Sequence, residues 1–337
     1  MAHDRITISR HGAVSCAAAA LACAVTATLL MLGGALARPA VAAADTPTWK
    51  LHTYRNWGGD RSYKCDLVEE LKKPPQVLVF GGSRALRFEG TQFTKLTGLT
   101  GFNAAFHVAR PEDAWAFANF VHARYPNVKL HCFWAVQATS FGDKTLHPGL
   151  VLDPRLSKYF SQTLLKKMKP YMPHGTPSNF LSRRRYYWDG TMTWNIYDVW
   201  RSEGRTLDQS LTHWLAQMVP IAAAHGVPKQ TRSHWFFQKT IKLFNDMGVK
   251  PVIVIMPYHP RALAAFKAVG WMKTKEKRLV DYLNGLKKKC SFKVLDFLWL
   301  KTFHGDPNAF YDGAHVTVKN ARLIVAQAVK EAPGCFR

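Results

Sequence analysis

Residues 76–84 read QVLVFGGSR, and this stretch decides the fold class. Its first five residues form a short, mainly apolar run rich in β-branched side chains, which is typical of a buried strand. The Gly-Gly-Ser that follows predicts a tight turn. Ser83 is therefore expected just beyond the end of a strand, where a parallel sheet presents residues to a ligand.

Four further segments have the character of strands, and helical patterns separate them. The predicted strands cover residues 76–80, 100–106, 128–136, 251–256 and 292–297, and the predicted helices cover residues 111–125, 234–247, 273–289 and 316–330. Strands that alternate with helices favour a parallel sheet covered by helices on both faces. We therefore predict an α/β fold of three layers around a doubly wound, parallel, five-stranded sheet.

A long segment, at about residues 141–233, breaks this alternation and is rich in Trp, Tyr, Gly and Pro. Segments of this length inside a compact domain are commonly functional, so we predict an insertion that forms a cap or lip over the ligand site. The Arg183–Trp188 run within it could hold an anionic ligand by charge and stacking, although a solvated face of the insertion is the simpler explanation. The candidate substrate-binding residues are Arg183, Arg184, Arg185, Tyr187 and Trp188.

The N-terminal residues have the pattern of an export signal. Arg5 and Arg10 precede an uncharged apolar run, and the Ala42-x-Ala44 that follows suits cleavage by a signal peptidase. The run is also long enough to remain as a membrane anchor. We therefore predict a signal peptide or signal anchor at residues 1–44, with the following residues outside the cytoplasm.

Residues 45–75 are polar and end in two prolines, so they are predicted to form an irregular lead-in to the first strand. Residues 76–337 then form one α/β domain that contains the insertion. At 337 residues the chain is long enough for two domains, but the continuous strand and helix pattern favours one.

The chain is strongly basic, with 46 Lys and Arg residues against 22 Asp and Glu residues and a net charge of +24. Such an excess predicts an anionic partner. Because the predicted location is outside the cytoplasm, an anionic envelope polymer, glycan or lipid surface is favoured and nucleic acid is not expected.

Cysteine spacing provides no metal site. Four cysteines follow the predicted signal, namely Cys65, Cys132, Cys290 and Cys335, and they allow two disulfides or buried thiols. No Cys or His spacing is typical of zinc, and the Gly81-Gly-Ser-Arg turn lacks the third glycine of a dinucleotide-binding loop. No metal and no cofactor are predicted.

Ser83 requires a base if it is to act as a nucleophile, and the sequence offers one near its end. Asp312-Gly-Ala-His315 precedes the last predicted helix. His315 could accept the serine proton while Asp312 orients its imidazole ring. Turn and capping roles can explain each residue alone, but their combination predicts a Ser83, Asp312 and His315 triad.

The motifs VLVFGGSR at residues 77–84, GFNAA at 101–105 and FYDGAH at 310–315 resemble those of the SGNH (GDSL-like) hydrolase superfamily. The similarity is greatest to exported SGNH-like proteins that modify acyl groups of the cell envelope. The resemblance implies a flavodoxin-like fold, with Ser83 as nucleophile, His315 as base and Asp312 as its partner.

The family's Gly-x-Asn-Asp block is missing after the third predicted strand, where residues 135–139 read AVQAT. The usual asparagine donor to the oxyanion is therefore absent from its place. The backbone N–H of Ser83 and the side chain of Asn103 are the first candidates for this role, and Gln137 is a weaker substitute.

The combined interpretation is an exported serine esterase or O-acyltransferase that acts on an acylated envelope polymer or glycan through an acyl-enzyme on Ser83. The alternative is a non-enzymatic, basic envelope-binding or assembly protein with a degenerate SGNH fold. The missing asparagine favours the alternative, whereas the complete Ser, Asp and His set favours the enzyme.

Overall fold

The computed structural model describes residues 59–142, 146–168, 185–224 and 231–337. These residues all belong to one compact unit. The predicted signal at residues 1–44 lies outside the described residues. Within the described ranges, no helix combines the length and the apolar character needed to cross a bilayer.

A five-stranded, all-parallel sheet forms the centre of the protein, in the order β2-β1-β3-β6-β7. The strands are β1 (Val77–Phe80), β2 (Gly101–Asn103), β3 (His131–Val136), β4 (Arg185–Tyr186), β5 (Met192–Trp194), β6 (Val252–Ile255) and β7 (Lys293–Asp296). The order has β1 inside the sheet, which is the flavodoxin-like arrangement. Every residue of β1, β3 and β6 is buried, which explains why these strands are apolar without alternation. The predicted fold class is confirmed.

Helices connect the strands. They are α1 (Asp60–Glu70), α2 (Gly90–Thr97), α3 (Pro111–Arg124), α4 (Pro148–Leu152), α5 (Pro154–Ser157), α6 (Gln162–Met168), α7 (Ile196–Ser202), α8 (Leu207–Ala224), α9 (Arg232–Asp246), α10 (Pro260–Ala268), α11 (Lys277–Leu286) and α12 (Val318–Glu331). Proline is the first residue of α3, α4, α5 and α10, where its missing N–H is not needed. A π-helical turn at Met272–Glu276 leads into α11.

The helices cover both faces of the sheet. Phe133 of β3 packs on Phe93 of α2, with ring centroids 5.2 Å apart, while the next residue, Trp134, packs on Phe237 of α9 at 4.5 Å. Successive residues of a strand point to opposite faces, so α2 and α9 lie on opposite sides. The three predicted layers are therefore present.

The lead-in was predicted to be irregular, and for residues 60–70 that prediction is wrong. These residues form α1, whose buried face includes Asp60, Arg61 and Lys64. Because three of the seven buried residues of α1 are charged, they interrupt the apolar stripe by which a helix is recognised in a sequence.

Ion pairs and hydrogen bonds hold α1 against the sheet. Arg61 donates to Asp113 Oδ1 at 2.6 Å, and Lys64 Nζ donates to the carbonyl oxygens of Asn103 at 2.7 Å and Ala105 at 2.6 Å. Buried charges require such partners, because an unpaired charge would be strongly destabilising.

The predicted insertion is more regular than a loop, since it contains α4 to α8 and the β4–β5 hairpin. The hairpin turn adds to the β2 edge, where the Asn103 N–H donates to Asp189 O at 2.7 Å. Gly190 has a φ of 74°, and a Cβ there would lie 2.3 Å from Asn103 O, so only glycine fits. The four cysteines outside the predicted signal are buried free thiols.

Candidate active site

Ser83 lies at the carboxyl end of β1, as the first residue of a 3₁₀ turn that extends to Ala85. Gly81 makes this tight turn possible. Its φ is 151°, and a Cβ at that position would lie 2.6 Å from the Ala85 Cβ. A side chain at position 81 would therefore displace the turn that carries Ser83.

Asp312 and His315 lie in a short loop that the Phe310–Val316 bridge closes before α12. Asp312 Oδ1 accepts hydrogen bonds from the backbone N–H groups of Ala314 at 2.7 Å and His315 at 2.8 Å. The other carboxylate oxygen lies 2.8 Å from His315 Nδ1. Asp312 thus shapes the loop and orients the imidazole ring at the same time.

The two loops meet at one edge of the sheet. Ser83 Oγ lies 2.8 Å from His315 Nε2. When Nδ1–H donates to Asp312, Nε2 carries the lone pair and can accept the serine proton. The distances expected for a Ser83, His315 and Asp312 arrangement are therefore observed.

The electrostatic environment keeps Asp312 ionised. Burial acts to raise the pKa of Asp312, but the adjacent His315 and the two backbone N–H donors outweigh burial. The pKa of Asp312 consequently lies below its ordinary value. A charged carboxylate at Nδ1 stabilises the imidazolium that forms when His315 takes a proton.

Tyr197 of α7 is a neighbour of His315 that the sequence analysis did not identify. Its hydroxyl oxygen lies 3.0 Å from His315 Nδ1, and the two rings are 4.8 Å apart. Burial and the charge of Asp312 raise the pKa of Tyr197, so its phenol stays protonated. Asn195, which caps α7 by accepting the Tyr197 N–H at 2.9 Å, fixes the start of this helix.

Arg84 joins the elements around the site, and it was also missed. Its buried guanidinium donates to Ala314 O at 3.0 Å, to Gln137 Oε1 at 2.6 Å and to Pro257 O. Its charged group also lies 4.1 Å from the centre of the Tyr258 ring. One side chain thereby links the Ser83 turn to the His315 loop and to the ends of β3 and β6.

Asn103 cannot serve as an oxyanion donor, so that prediction is wrong. Its side-chain amide is fully buried and donates to Ala85 O at 2.9 Å and Phe88 O at 2.8 Å. Its oxygen accepts from Lys64 at 3.1 Å. Asn103 is thus a buried connection between α1, β2 and the turn after β1.

Gln137, the substitute donor, lies in the same cleft as Ser83 and His315. Its Oε1 faces Arg84, so the amide nitrogen occupies the other end of the group. This orientation leaves Nε2 as the end of the Gln137 side chain that can donate a hydrogen bond.

Of the predicted substrate-binding residues, the structure describes the side chains of Tyr187 and Trp188 only, and it does not place them in the Ser83 cleft. Arg183, Arg184 and the side chain of Arg185 lie outside the described part of the chain. Tyr187 and Trp188 lie at the turn of the β4–β5 hairpin, and neither lines the cleft that contains Ser83.

The insertion nevertheless contributes to the site through other residues. Trp214, Met218 and Ala222 of α8 form one wall of the cleft at Ser83. Helical spacing places these residues on one face, but an isolated sequence does not reveal which element that face contacts. Among the described residues, no cluster of three His, Cys, Asp or Glu side chains could hold a metal.

The fold and the site together define a flavodoxin-like α/β protein with a hydrogen-bonded Ser, His and Asp arrangement at the carboxyl ends of its strands. Among solved structures, the chain is similar to a candidate acylhydrolase from Bacteroides fragilis NCTC 9343. The two are 11% identical over 84% of this chain and 99% of that chain, with a TM-score of 0.37. No family model and no curated protein matches the chain.

Proposed function

We propose that the protein is a serine esterase or O-acyltransferase of the SGNH type that forms an acyl-enzyme on Ser83. The observation that carries this proposal is the 2.8 Å contact between Ser83 Oγ and His315 Nε2, with Asp312 at the opposite ring nitrogen. A serine hydroxyl is a weak nucleophile by itself, and a hydrogen-bonded, oriented imidazole is the usual means of activating it.

The reaction begins when His315 Nε2 takes the proton of Ser83 while Oγ attacks the ester carbonyl. The tetrahedral intermediate collapses, and the departing alkoxide receives that proton from His315. Water or a hydroxyl of an acceptor then attacks the acyl-serine, and His315 again takes and returns the proton. Water as acceptor makes the reaction a hydrolysis, and a sugar or polyol makes it an acyl transfer.

The negative charge on the carbonyl oxygen requires hydrogen-bond donors. The backbone N–H of Ser83 and Nε2 of Gln137 fill this role in the proposed mechanism. Arg84 supports it indirectly, because its contact with Gln137 Oε1 directs the amide nitrogen away from the guanidinium. Arg84 is therefore a positioning residue, whereas Gln137 touches the reacting atoms.

The proposed setting is the cell envelope. A net charge of +24 and the export pattern at residues 1–44 support an anionic polymer, glycan or lipid surface as partner. The proposed substrate is an acylated component of that surface, and Arg183, Arg184 and Arg185 are the proposed contacts.

The decisive experiment combines turnover with covalent trapping. The purified full-length chain should hydrolyse p-nitrophenyl acetate and should be labelled at Ser83 by a fluorophosphonate. Ser83→Ala and His315→Ala should each lower kcat by about 10³-fold or more, and Asp312→Asn should have a smaller effect. Equal, slow turnover by wild type and Ser83→Ala, without labelling, would instead favour the non-enzymatic envelope-binding protein.

Matched controls separate the site from general effects of substitution. Ser291 and His213 are exposed residues that do not line the cleft at Ser83. Ser291→Ala and His213→Ala should retain wild-type turnover and labelling. A comparable loss in either control would mean that the measured activity does not come from the Ser83 site.

A further inference from the structure

We propose that the cleft beside Ser83 binds an apolar acyl chain, so that the substrate is an ester of an acyl group substantially longer than acetyl. This inference rests on the proposed ester chemistry at Ser83. We call the cleft the acyl cleft; it has a volume of about 220 Å³. Its lining includes Ser83, His315, Trp214, Met218, Tyr258 and Trp271.

One wall of the acyl cleft is a single face of α8. Trp214, Met218 and Ala222 are each four residues apart and therefore lie along one side of the helix. Trp214 and Met218 are partly buried and pack against the core, and Ala222 is buried. Apart from the indole N–H of Trp214, these three side chains carry no strong hydrogen-bonding group, so the face suits a hydrocarbon.

A cluster of aromatic rings that adjoins the first wall forms a second part of the lining, which we call the aromatic wall. Phe266 lies 5.0 Å from Trp271 and 5.2 Å from Tyr258, while Trp214 of the first wall lies 5.7 Å from Phe266. These centroid distances are those of rings in mutual contact. The aromatic wall is thus preformed, and binding a chain against it does not require the rings to be ordered first.

The cationic groups of the cleft are already engaged. Lys275 Nζ donates to Ala222 O at 2.8 Å at the carboxyl end of α8. The guanidinium of Arg84 is occupied by three carbonyl or amide oxygens. Since these groups have partners within the protein, the surface that remains for a ligand is mainly apolar.

The apolar wall is directly continuous with the reactive loop. A Cβ added at Gly313 would lie 2.2 Å from the Trp214 ring, so the indole packs on the backbone between Asp312 and His315. A chain that lies along Trp214 therefore ends at Ser83 and His315. Glycine at position 313 is required because the indole occupies the space that any side chain would need.

The sequence of steps in the proposed reaction indicates that the hydrocarbon chain in the cleft belongs to the acyl half of the ester. The alcohol half must leave and be replaced by water or an acceptor near His315, whereas the acyl half stays bound to Ser83 through both steps. A preformed apolar cleft suits the half that stays. The side of the site open to solvent then serves the half that exchanges.

The test is a chain-length series with the full-length protein. With p-nitrophenyl esters from acetate to octanoate, kcat/KM should rise by up to roughly fourfold per added methylene until the cleft is filled. Because one side of the cleft is open, we expect octanoate to exceed acetate by at least about 30-fold. Octyl acetate, which places the same chain in the alcohol half, should gain less than about threefold over ethyl acetate.

Substitutions on α8 test whether the acyl chain binds against this helix. Ala222→Phe adds bulk inside the acyl cleft and should lower the octanoate-to-acetate ratio of kcat/KM by about tenfold or more. Ala216→Phe places the same side chain on the exposed face of the same helix and should leave that ratio unchanged. Met218→Ala, which removes apolar contacts without adding bulk, should also lower the ratio and replaces Ala222→Phe if that variant does not fold.

The outcomes distinguish this inference from the proposed function. Ser83-dependent turnover that is independent of acyl length, or an equal gain with octyl acetate, would overturn the acyl assignment and leave the esterase standing. Absence of Ser83-dependent turnover would overturn the esterase. Calorimetry on Ser83→Ala then tests the cleft itself: octanoate bound at least tenfold more tightly than acetate supports a chain site, and equal affinities overturn it.

Discussion

Replacing Arg84 by lysine keeps the positive charge but removes the planar group that donates hydrogen bonds in several directions, so it tests which of the two properties the site needs. The guanidinium serves three acceptors that belong to different elements: Ala314 O, Gln137 Oε1 and Pro257 O. A lysine ammonium is a compact donor on a flexible stem, and it cannot reach three acceptors that a planar group reaches in three directions.

The expected magnitude comes from the acceptors left without a donor. Arg84→Lys should leave two of the three oxygens without a donor; those of Ala314 and Pro257 are buried, and at about 1–3 kcal/mol for each unsatisfied buried oxygen the destabilisation should reach about 2–6 kcal/mol. The effect on turnover has a separate origin. Without its contact to Arg84, Gln137 is no longer oriented, and loss of one oxyanion donor lowers kcat by about 10²- to 10³-fold.

Urea unfolding followed by circular dichroism measures the stability, and hydrolysis of a p-nitrophenyl ester measures kcat and KM separately. We expect kcat to fall by about 10²-fold while KM changes by less than about threefold, since the acyl cleft is intact. The control is Arg322→Lys, because Arg322 forms an exposed ion pair with Glu89, and such pairs contribute about 0–1 kcal/mol. An Arg84→Lys protein with more than a third of the wild-type kcat would refute the positioning role.

Two further predictions concern neighbours of Arg84. The carboxylate of Gln137→Glu can still accept a hydrogen bond from Arg84 but cannot donate one to an oxyanion. We therefore expect kcat to fall by about 10²-fold or more, and by at least as much as in Gln137→Ala. Retention of kcat in Gln137→Glu would exclude Gln137 as the donor. Burial, with a contribution from the charge of Asp296, raises the pKa of Glu276 to about 7, so the folded state holds this proton more tightly than the unfolded chain does. The stability due to this proton is present below about pH 4.5 and is lost as the pH rises to about 7. The free energy of unfolding of Glu276→Gln, relative to that of wild type, should therefore increase by about 3 kcal/mol between pH 4 and pH 8. If the urea midpoints of the two proteins differ by the same amount at every pH in this range, the pKa of Glu276 is not raised in the folded state.

The sheet could be predicted from the sequence because its strands have a simple local pattern. Strands β1, β3 and β6 are buried on both faces, so each is a short, continuous apolar run. The Ser83 and His315 pairing was predictable for a related reason. Both residues follow signals of a turn, and a doubly wound topology brings such turns to the same edge of the sheet.

Some roles could not be predicted from the sequence, because they depend on where side chains point and on the burial of charged groups. Helix α1 buries Arg61 and Lys64 among its apolar residues, and these charges interrupt the hydrophobic pattern that would predict a helix. Asn103 and Gln137 are both amides near strand ends, and only the three-dimensional structure shows that the first is occupied by backbone carbonyls. Tyr197 reaches His315 from the insertion, with no fixed spacing to the motif that carries the histidine.

The Ser83 and His315 contact joins residues that are 232 positions apart in the chain. Ser83 is therefore synthesised well before His315, and the segment between them must fold before the two side chains meet. Until then Ser83 is an ordinary alcohol without a base, and it has the low reactivity of any surface serine. Under the proposed function, a nascent chain that does not yet include His315 would be inert toward esters, and Ser83 would become reactive only when the His315 loop folds against it. Folding itself would then be the activation step of the proposed nucleophile.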